Sequence, residues 1–224
     1  MYDEKTQHYF MNVRKDILDL IPEEKRAGNL LEIGAGTGDS IIFAKNNGYA
    51  IKVWGIELCK IENSHQDNNE IEQFIISNIE NLEIPFEKSS FDVIILGDVL
   101  EHLVDPYKLI VRLQEFIKSD GVIIASIPNI RGWNTMKTIF FNGDFKYEDT
   151  GILDKTHLRF FTKKNMLELF TKNGYSVEKI VPKDYFNLTR YKKQFRIFKL
   201  IGIFYFEEFV THQYFIVAKL NIKV

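Results

Sequence analysis

The chain predicts a Rossmann-like, doubly wound α/β domain, with a mostly parallel seven-stranded sheet, helices on both faces and an antiparallel last strand. Three observations carry this reading. Seven short apolar runs, rich in Val and Ile, alternate with helical patterns. A glycine-rich turn, Gly34-Ala35-Gly36-Thr37-Gly38, follows the first run, where glycine lets the backbone turn tightly. An acid, Glu57, closes the second run.

Taken in order, the first strand covers 29–34 (NLLEIG), and the helix after it, 39–48, is ended by Gly48. Strands follow at 51–57 (IKVWGIE), 71–77 (IEQFIIS) and 91–97 (FDVIILG). The third of these is the most apolar, as a parallel strand covered on both faces must be. Asp105 before Pro106 is an N-cap ahead of a proline at the first helical position, and the helix it opens is expected to run until Ser119-Asp120-Gly121 ends it. A fifth strand is read at 122–128. Residues 129–161 read as a long irregular insertion, and a loop of that length in a compact domain points to a functional lid. Thr162 then caps the helix KKNMLELFTKNG, and the last two strands fall at 175–181 and 212–220. The whole of 1–224 is expected to be one domain, with an N-terminal helical cap at 1–28 that includes an amphipathic helix over 8–20. An aromatic and basic insertion at 184–210 precedes the last strand.

Composition narrows the function classes. A formal charge of -2 provides no global attraction to nucleic acid or to an anionic membrane, so no nucleic-acid partner is expected. The single cysteine, Cys59, rules out an intramolecular disulfide framework and a cysteine-based zinc site. The opening MYDEKTQHYF has neither the basic nor the apolar region of a signal peptide, and the expected compartment is the cytoplasm.

The turn and its distant acid point to an adenosine-containing ligand, because a carboxylate at the end of the second strand can accept hydrogen bonds from both ribose hydroxyls. The spacing is GxGxG rather than the GxGxxG of dinucleotide enzymes, and Glu32 precedes it. That acid is awkward beside a pyrophosphate but suits a ligand carrying an ammonium and a sulfonium. LLEIGAGTG and WGIE resemble the first two motifs of class I S-adenosylmethionine-dependent methyltransferases, and SNIENLEIPFEKSSFDVIILGDVLEHLVDP is similar to that family's next stretch. The resemblance covers residues 25–182 and implies S-adenosyl-L-methionine as cofactor. It implies that Glu32, Gly34, Ala35 and Gly36, with Gly38 completing the loop, hold the methionine portion. Glu57 and Leu58 take the ribose and the adenine face, and Asn78 with Ile79 the adenine edge. Many relatives carry Asp where this chain has Asn78, whose amide oxygen can accept the adenine amino bond without a carboxylate's charge.

Gly97-Asp98-Val99-Leu100-Glu101-His102 sits at the carboxyl end of the fourth strand, where ligands of open α/β sheets collect. His102 is a candidate general base, with packing against the following helix as the alternative. Asp98 can orient the methionine end of the cofactor or the acceptor. Asp98, Glu101 and His102 together could hold a divalent cation for a diol acceptor, but they show no tight metal spacing and no metal is expected. Within the lid, Asp149-Thr150-Gly151-Ile152-Leu153-Asp154-Lys155-Thr156-His157-Leu158-Arg159-Phe160-Phe161-Thr162 resembles a DxGILDxTHLRFFT signature of bacterial methyltransferases associated with surface-polysaccharide and other glycan pathways. His157 is a second candidate base, with Asp154 and Arg159 orienting it or a sugar. The structural alternative is an Asp154–Arg159 ion pair that stabilises the lid. Trp133, Phe140, Phe141, Phe145 and Tyr147 could form a platform for an acceptor ring. Residues 190–209 interleave Arg190, Lys192, Lys193, Arg196 and Lys199 with aromatics, a pattern for peripheral membrane contact, a homodimer face or a roof over the site.

The expected reaction is O-methylation of a sugar or sugar-containing intermediate by S-adenosylmethionine, in polysaccharide biosynthesis. The alternatives are methylation of a non-sugar metabolite, such as a quinone precursor or carboxylic acid, and a non-catalytic S-adenosylmethionine-binding subunit.

Overall fold

The computed structural model describes residues 13–184 and 206–221. Seven strands, β1 (Asn29–Ile33), β2 (Lys52–Glu57), β3 (Gln73–Ile76), β4 (Phe91–Gly97), β5 (Ile117–Pro128), β6 (Tyr175–Asp184) and β7 (Thr211–Leu220), form one sheet in the order β3-β2-β1-β4-β5-β7-β6. The pairs from β3 to β5 are all parallel. Only β7 runs against its neighbours, β5 and β6, so the predicted antiparallel last strand is present. Helices α1 (Lys15–Leu18), α2 (Asp39–Asn46), α3 (Pro106–Leu113), α4 (Trp133–Asn142), α5 (Lys163–Thr171) and α6 (Phe206–Val210) complete the described elements, with short 3-10 turns at Glu23–Lys25 and Leu100–His102.

The core has two layers because the central strands are buried on both faces. Along β4, Val93 and Ile95 pack with Ile17, Leu18, Ile41 and Ala44, the layer under α1 and α2. Their neighbours Ile94 and Leu96 pack with Leu109, Ile110, Met166 and Phe170, under α3 and α5. The alternation is the period of two of a strand, and it makes the run continuously apolar.

Local signals place the helix starts. Asp105 accepts the backbone N–H of Lys108 at 3.0 Å, with Pro106 in the first turn of α3. Thr162 and Asn165 form a reciprocal capping box at the start of α5.

Three expectations need correction. The helix opened by Asp105 stops at Leu113, and β5 begins at Ile117, before Gly121 rather than after it. Ile117 pairs with Phe91 and is buried, so packing against the sheet outweighs continued helix. Gly121 is part of that strand, and a Cβ there would lie 2.7 Å from Ile117 and 3.0 Å from the Phe91 carbonyl, so only glycine fits. The lid is not irregular throughout: it contains α4, ended by Gly143 in the left-handed conformation at φ 62°. Among its residues only Thr135 is buried, so no apolar face announced it. Strand β6 also runs past Val181 to Asp184, because it pairs with β7 as far as Thr211.

Of the predicted helix at 8–20, the part up to residue 12 lies outside the described residues, and what is described contributes Ile17 and Leu18 to the core. Of the proposed membrane or dimer segment 190–209, residues up to 205 likewise lie outside them. Among the described residues, no helix is long and apolar enough to cross a membrane.

Truncating Ile94, fully buried at the sheet centre, to Ala is expected to cost ~2–5 kcal/mol. Removing the Asp105 cap with Asp105→Ala should cost about 1 kcal/mol. Urea unfolding of the two variants should rank them in that order, and equal losses would contradict the two-layer core.

Candidate active site

Strand order reverses at β1, which has β2 on one side and β4 on the other. The connections leave these two strands in opposite directions, so a crevice opens at their carboxyl ends. A cavity of about 900 Å³ lies there, lined by the β1–α2 turn, the ends of β2, β3 and β4, the Leu100–His102 turn, the lid, and His212 and Gln213 of β7.

Its first half is built by the glycine turn. Gly34, Gly36 and Gly38 have φ of 74°, 53° and 84°, in the left-handed region that favours glycine. Gly34, Ala35 and Gly36 line the cavity, whereas Gly38 does not: its backbone turns the chain into α2 as the N-cap residue. A Cβ at Gly34 would meet the Val99 side chain at 2.4 Å, so the loop closes tightly on the end of β4. Glu57 stands opposite, its Oε2 accepting the Gly36 N–H at 2.8 Å and its Oε1 the Leu58 N–H at 2.6 Å. Burial pushes its carboxyl above the ordinary range, against the pull of the backbone N–H groups of Gly36, Leu58 and Cys59. Each carboxylate oxygen has a further lone pair for a ribose hydroxyl. Leu58, half exposed, and Ile79 supply apolar walls beside Asn78, all three lining the cavity. The Asn78 amide oxygen already accepts the Glu80 N–H at 2.9 Å, so it meets an adenine edge with one lone pair committed.

Glu32 lies behind the loop and does not itself line the cavity. Its carboxylate is buried, Oε2 has no hydrogen-bond partner, and burial pushes its pKa up to about 8, with Arg14 pulling it down and Glu57 adding to the rise. An unsatisfied buried acid behind the turn, a ribose-type carboxylate at Glu57 and a glycine cradle together fit S-adenosylmethionine, whose ammonium and sulfonium are positively charged.

The cavity floor is Gly97 and Asp98. Asp98 adopts φ 56°, unusual for a residue with a Cβ, and its carboxylate is an ion-pair partner of Arg14. The Ser126 hydroxyl donates to it at 2.9 Å, and so does the Gln213 side-chain amide. Arg14 bonds Asp16 at 3.0 Å, and Lys183 bonds Asp16 at 2.7 Å. Arg14, Lys183 and Gln213 all line the cavity, and sequence reading missed all three. They come from the N-terminal segment and the last two strands, and no local motif marks them.

The far half is built by the lid docking on the Leu100–His102 turn. The Glu101 carbonyl accepts the N–H groups of Leu158 at 2.8 Å and Arg159 at 2.9 Å. The His102 Nδ1 lies 3.1 Å from the Thr156 carbonyl and the His157 Nδ1 2.9 Å from the Ile152 carbonyl. The two predicted bases therefore meet, with ring centroids 4.7 Å apart and planes at 72°. Asp154 serves the turn rather than pairing with Arg159: it accepts the Thr156 N–H at 2.8 Å and its hydroxyl at 2.6 Å, while Arg159 donates to the Val104 carbonyl at 3.0 Å. Of the aromatic residues in the lid, Phe145 and Tyr147 cluster with Phe160, while Phe140 and Phe141 meet edge to face, largely exposed.

Two outcomes follow. Glu57→Ala removes the acceptor for the loop and the ribose, and should weaken S-adenosylhomocysteine binding by about 10–100-fold in calorimetric titration. Glu32 holds its proton more tightly when folded than its ordinary value of 4.5, so its contribution to stability is full below pH 4.5 and is lost as the pH rises to about 8. Melting temperature measured against pH should therefore fall more steeply over that window in the parent protein than in Glu32→Gln, and parallel curves would contradict the raised pKa.

Comparison with known proteins agrees with this geometry. Residues 2–180 match the family model described as a methyltransferase domain. The demethylmenaquinone methyltransferase of Listeria monocytogenes serotype 4b is 26% identical over 182 residues, covering 73% of this chain and 76% of that protein. A SAM-dependent methyltransferase from Archaeoglobus fulgidus superposes with a TM-score of 0.65 at 19% identity, over 95% of this chain and 97% of that one. The 1,6-didemethyltoxoflavin-N1-methyltransferase of Burkholderia thailandensis, solved with 1,6-didemethyltoxoflavin and S-adenosylhomocysteine, superposes with a TM-score of 0.60 at 13% identity, over 99% and 81%. The superpositions establish the shared fold, and the family match extends over most of the chain. The chain belongs to the methyltransferase-domain family and is a class I S-adenosylmethionine-dependent methyltransferase.

Proposed function

We propose that the enzyme O-methylates a hydroxyl group of a sugar or sugar-containing acceptor. The observation that supports this most is the polarity of the far half of the cavity, to which the lid contributes Asn134, Thr135, Thr138, Asp144, Lys146 and Glu148 beside the two imidazoles. A polyol offers a hydrogen-bond partner to each such group, whereas an acceptor without them leaves them to lose water unrewarded.

The donor supplies an electrophilic methyl group on a positively charged sulfur. Gly34, Ala35 and Gly36 with Glu57, Leu58, Asn78 and Ile79 hold and orient it, while the Gly97-Asp98 floor, fastened by Arg14, Ser126 and Gln213, limits its depth. Holding an acceptor oxygen in line with the methyl accounts for much of the acceleration. His102 and His157 are the residues that activate that oxygen. As the new O–CH₃ bond forms and the S–CH₃ bond breaks, the hydroxyl proton leaves, and a neutral imidazole Nε2 is the acceptor available in the protein itself. Lid docking over the Glu101 turn covers part of this end of the cavity.

A second reading, methylation of a quinone precursor, is supported by the name of the Listeria relative. It uses the same donor half and differs only in what occupies the lid.

Incubation of the enzyme with methyl-labelled donor and parallel panels of nucleotide-sugars, glycans and reduced quinones separates the two. Label transferred to sugar hydroxyls is expected. Transfer to quinones alone overturns the sugar reading. On the preferred acceptor, His157→Ala and His102→Ala should each lower kcat by about 10²–10⁴-fold with S-adenosylhomocysteine affinity retained. Unchanged turnover in both would remove the histidines from the chemistry.

A further inference from the structure

The Glu101 side chain is 1% exposed, and neither of its carboxylate oxygens has a hydrogen-bond partner. Burial, with the Asp98 charge and Asp154 adding to it, raises its pKa well above the ordinary value. A buried carboxylate without donors is costly unless a positive charge joins it. The proton-transfer chemistry above makes no use of it.

Glu101 is not isolated. It precedes His102 in the Leu100–His102 turn, and the lid brings His157 to the same point. One ligand atom from each of Glu101, His102 and His157 lies within 4.8 Å of the other two. Each imidazole faces a backbone carbonyl through Nδ1, Thr156 for His102 and Ile152 for His157. A carbonyl oxygen only accepts, so Nδ1 carries the proton and the lone pair resides on Nε2. Carbonyls that hold the remote nitrogen of a histidine set the tautomer and ring angle that metal-binding histidines use. The supports are themselves held, since Asp154 fixes Thr156 and the Glu101 carbonyl fixes Leu158 and Arg159.

We propose that Glu101, His102 and His157 form a site for a divalent transition-metal ion at the acceptor end of the cavity, where it binds the acceptor oxygen. Two imidazoles and one carboxylate favour Mn²⁺, Fe²⁺, Co²⁺ or Zn²⁺ over Mg²⁺ and Ca²⁺, which prefer all-oxygen sets. Bonds of about 2.1 Å bring adjacent ligand atoms to about 3.0–3.4 Å, so side-chain rotation of an ångström or so closes the site. Three protein ligands leave coordination positions for a hydroxyl, or for two hydroxyls of a diol. The ion's task, though not its binding, rests on the hydroxyl-methylating reading. With the ion in place the histidines are its ligands instead of proton acceptors: the ion acidifies the bound hydroxyl, whose proton passes to solvent water as the O–CH₃ bond forms and the S–CH₃ bond breaks.

Binding is read without any acceptor. The metal-stripped full-length protein is titrated with Co²⁺, following visible ligand-field absorption and bound metal by equilibrium dialysis. One ion per chain is expected, displaced by Zn²⁺ but not by equimolar Mg²⁺. Glu101→Gln and His157→Ala should each weaken it by about 100-fold or more. S-adenosylhomocysteine affinity, measured on the same samples, reports that each variant is folded, and His157→Ala alters only the lid if Glu101→Gln proves unstable. Failure of the parent protein to bind Co²⁺ stoichiometrically, or binding undiminished in the folded variant, overturns the site. Where an acceptor is methylated, transfer that survives exhaustive chelation overturns the ion's task. Absence of transfer to every acceptor sinks the proposed function instead, and the titration still decides the site.

Discussion

A parallel strand covered by helices on both faces has no side on which to display chemistry. Val93, Ile94, Ile95 and Leu96 alternate into two apolar layers, and a polar group at any of them would lie in one layer or the other without water. Polar function is therefore forced to the strand ends, and the reversal of order at β1 decides which ends are open. Every residue assigned a role here, from Glu57 to His157, stands at or over that one edge. The donor half, the floor and the lid are consequences of this single restriction.

The same edge concentrates buried acids. Glu32, Glu57 and Glu101 are all buried around the cavity, and all three have carboxyl groups whose pKa is raised by desolvation. Each meets the cost differently. Glu57 is solvated by backbone N–H groups of the glycine loop. Glu32 is eased by the charge of Arg14. Glu101 has no hydrogen-bond partner on either carboxylate oxygen, and the charge of Arg14 offsets its burial only in part.

The lid covers part of this edge. Its signature residues, Asp154, Thr156 and His157, spend their hydrogen bonds on one another and on the Glu101 turn, so the segment is a docking device as much as a recognition surface. The residues before it, in α4 and the stretch that follows α4, supply polar side chains that line the cavity.

Local features of the chain determined the donor half by themselves. Glycines that need positive φ, an acid at the end of β2, the Asp105-Pro106 start of α3 and the Thr162 cap of α5 all act within a few residues, so their meaning is visible in order along the sequence. Strand alternation likewise revealed the sheet and its seven strands. The tertiary structure alone decided what depends on distant segments meeting. It joined Asp98 to Arg14, 84 residues away, in an ion pair. It brought His157 beside Glu101 and His102, a meeting no sequence spacing could show. It ended α3 at Leu113 because Ile117 gains more by pairing with Phe91 than by extending a helix. Contacts of this kind are set by the order in which strands pack, and that order is a property of the folded sheet rather than of any stretch of residues.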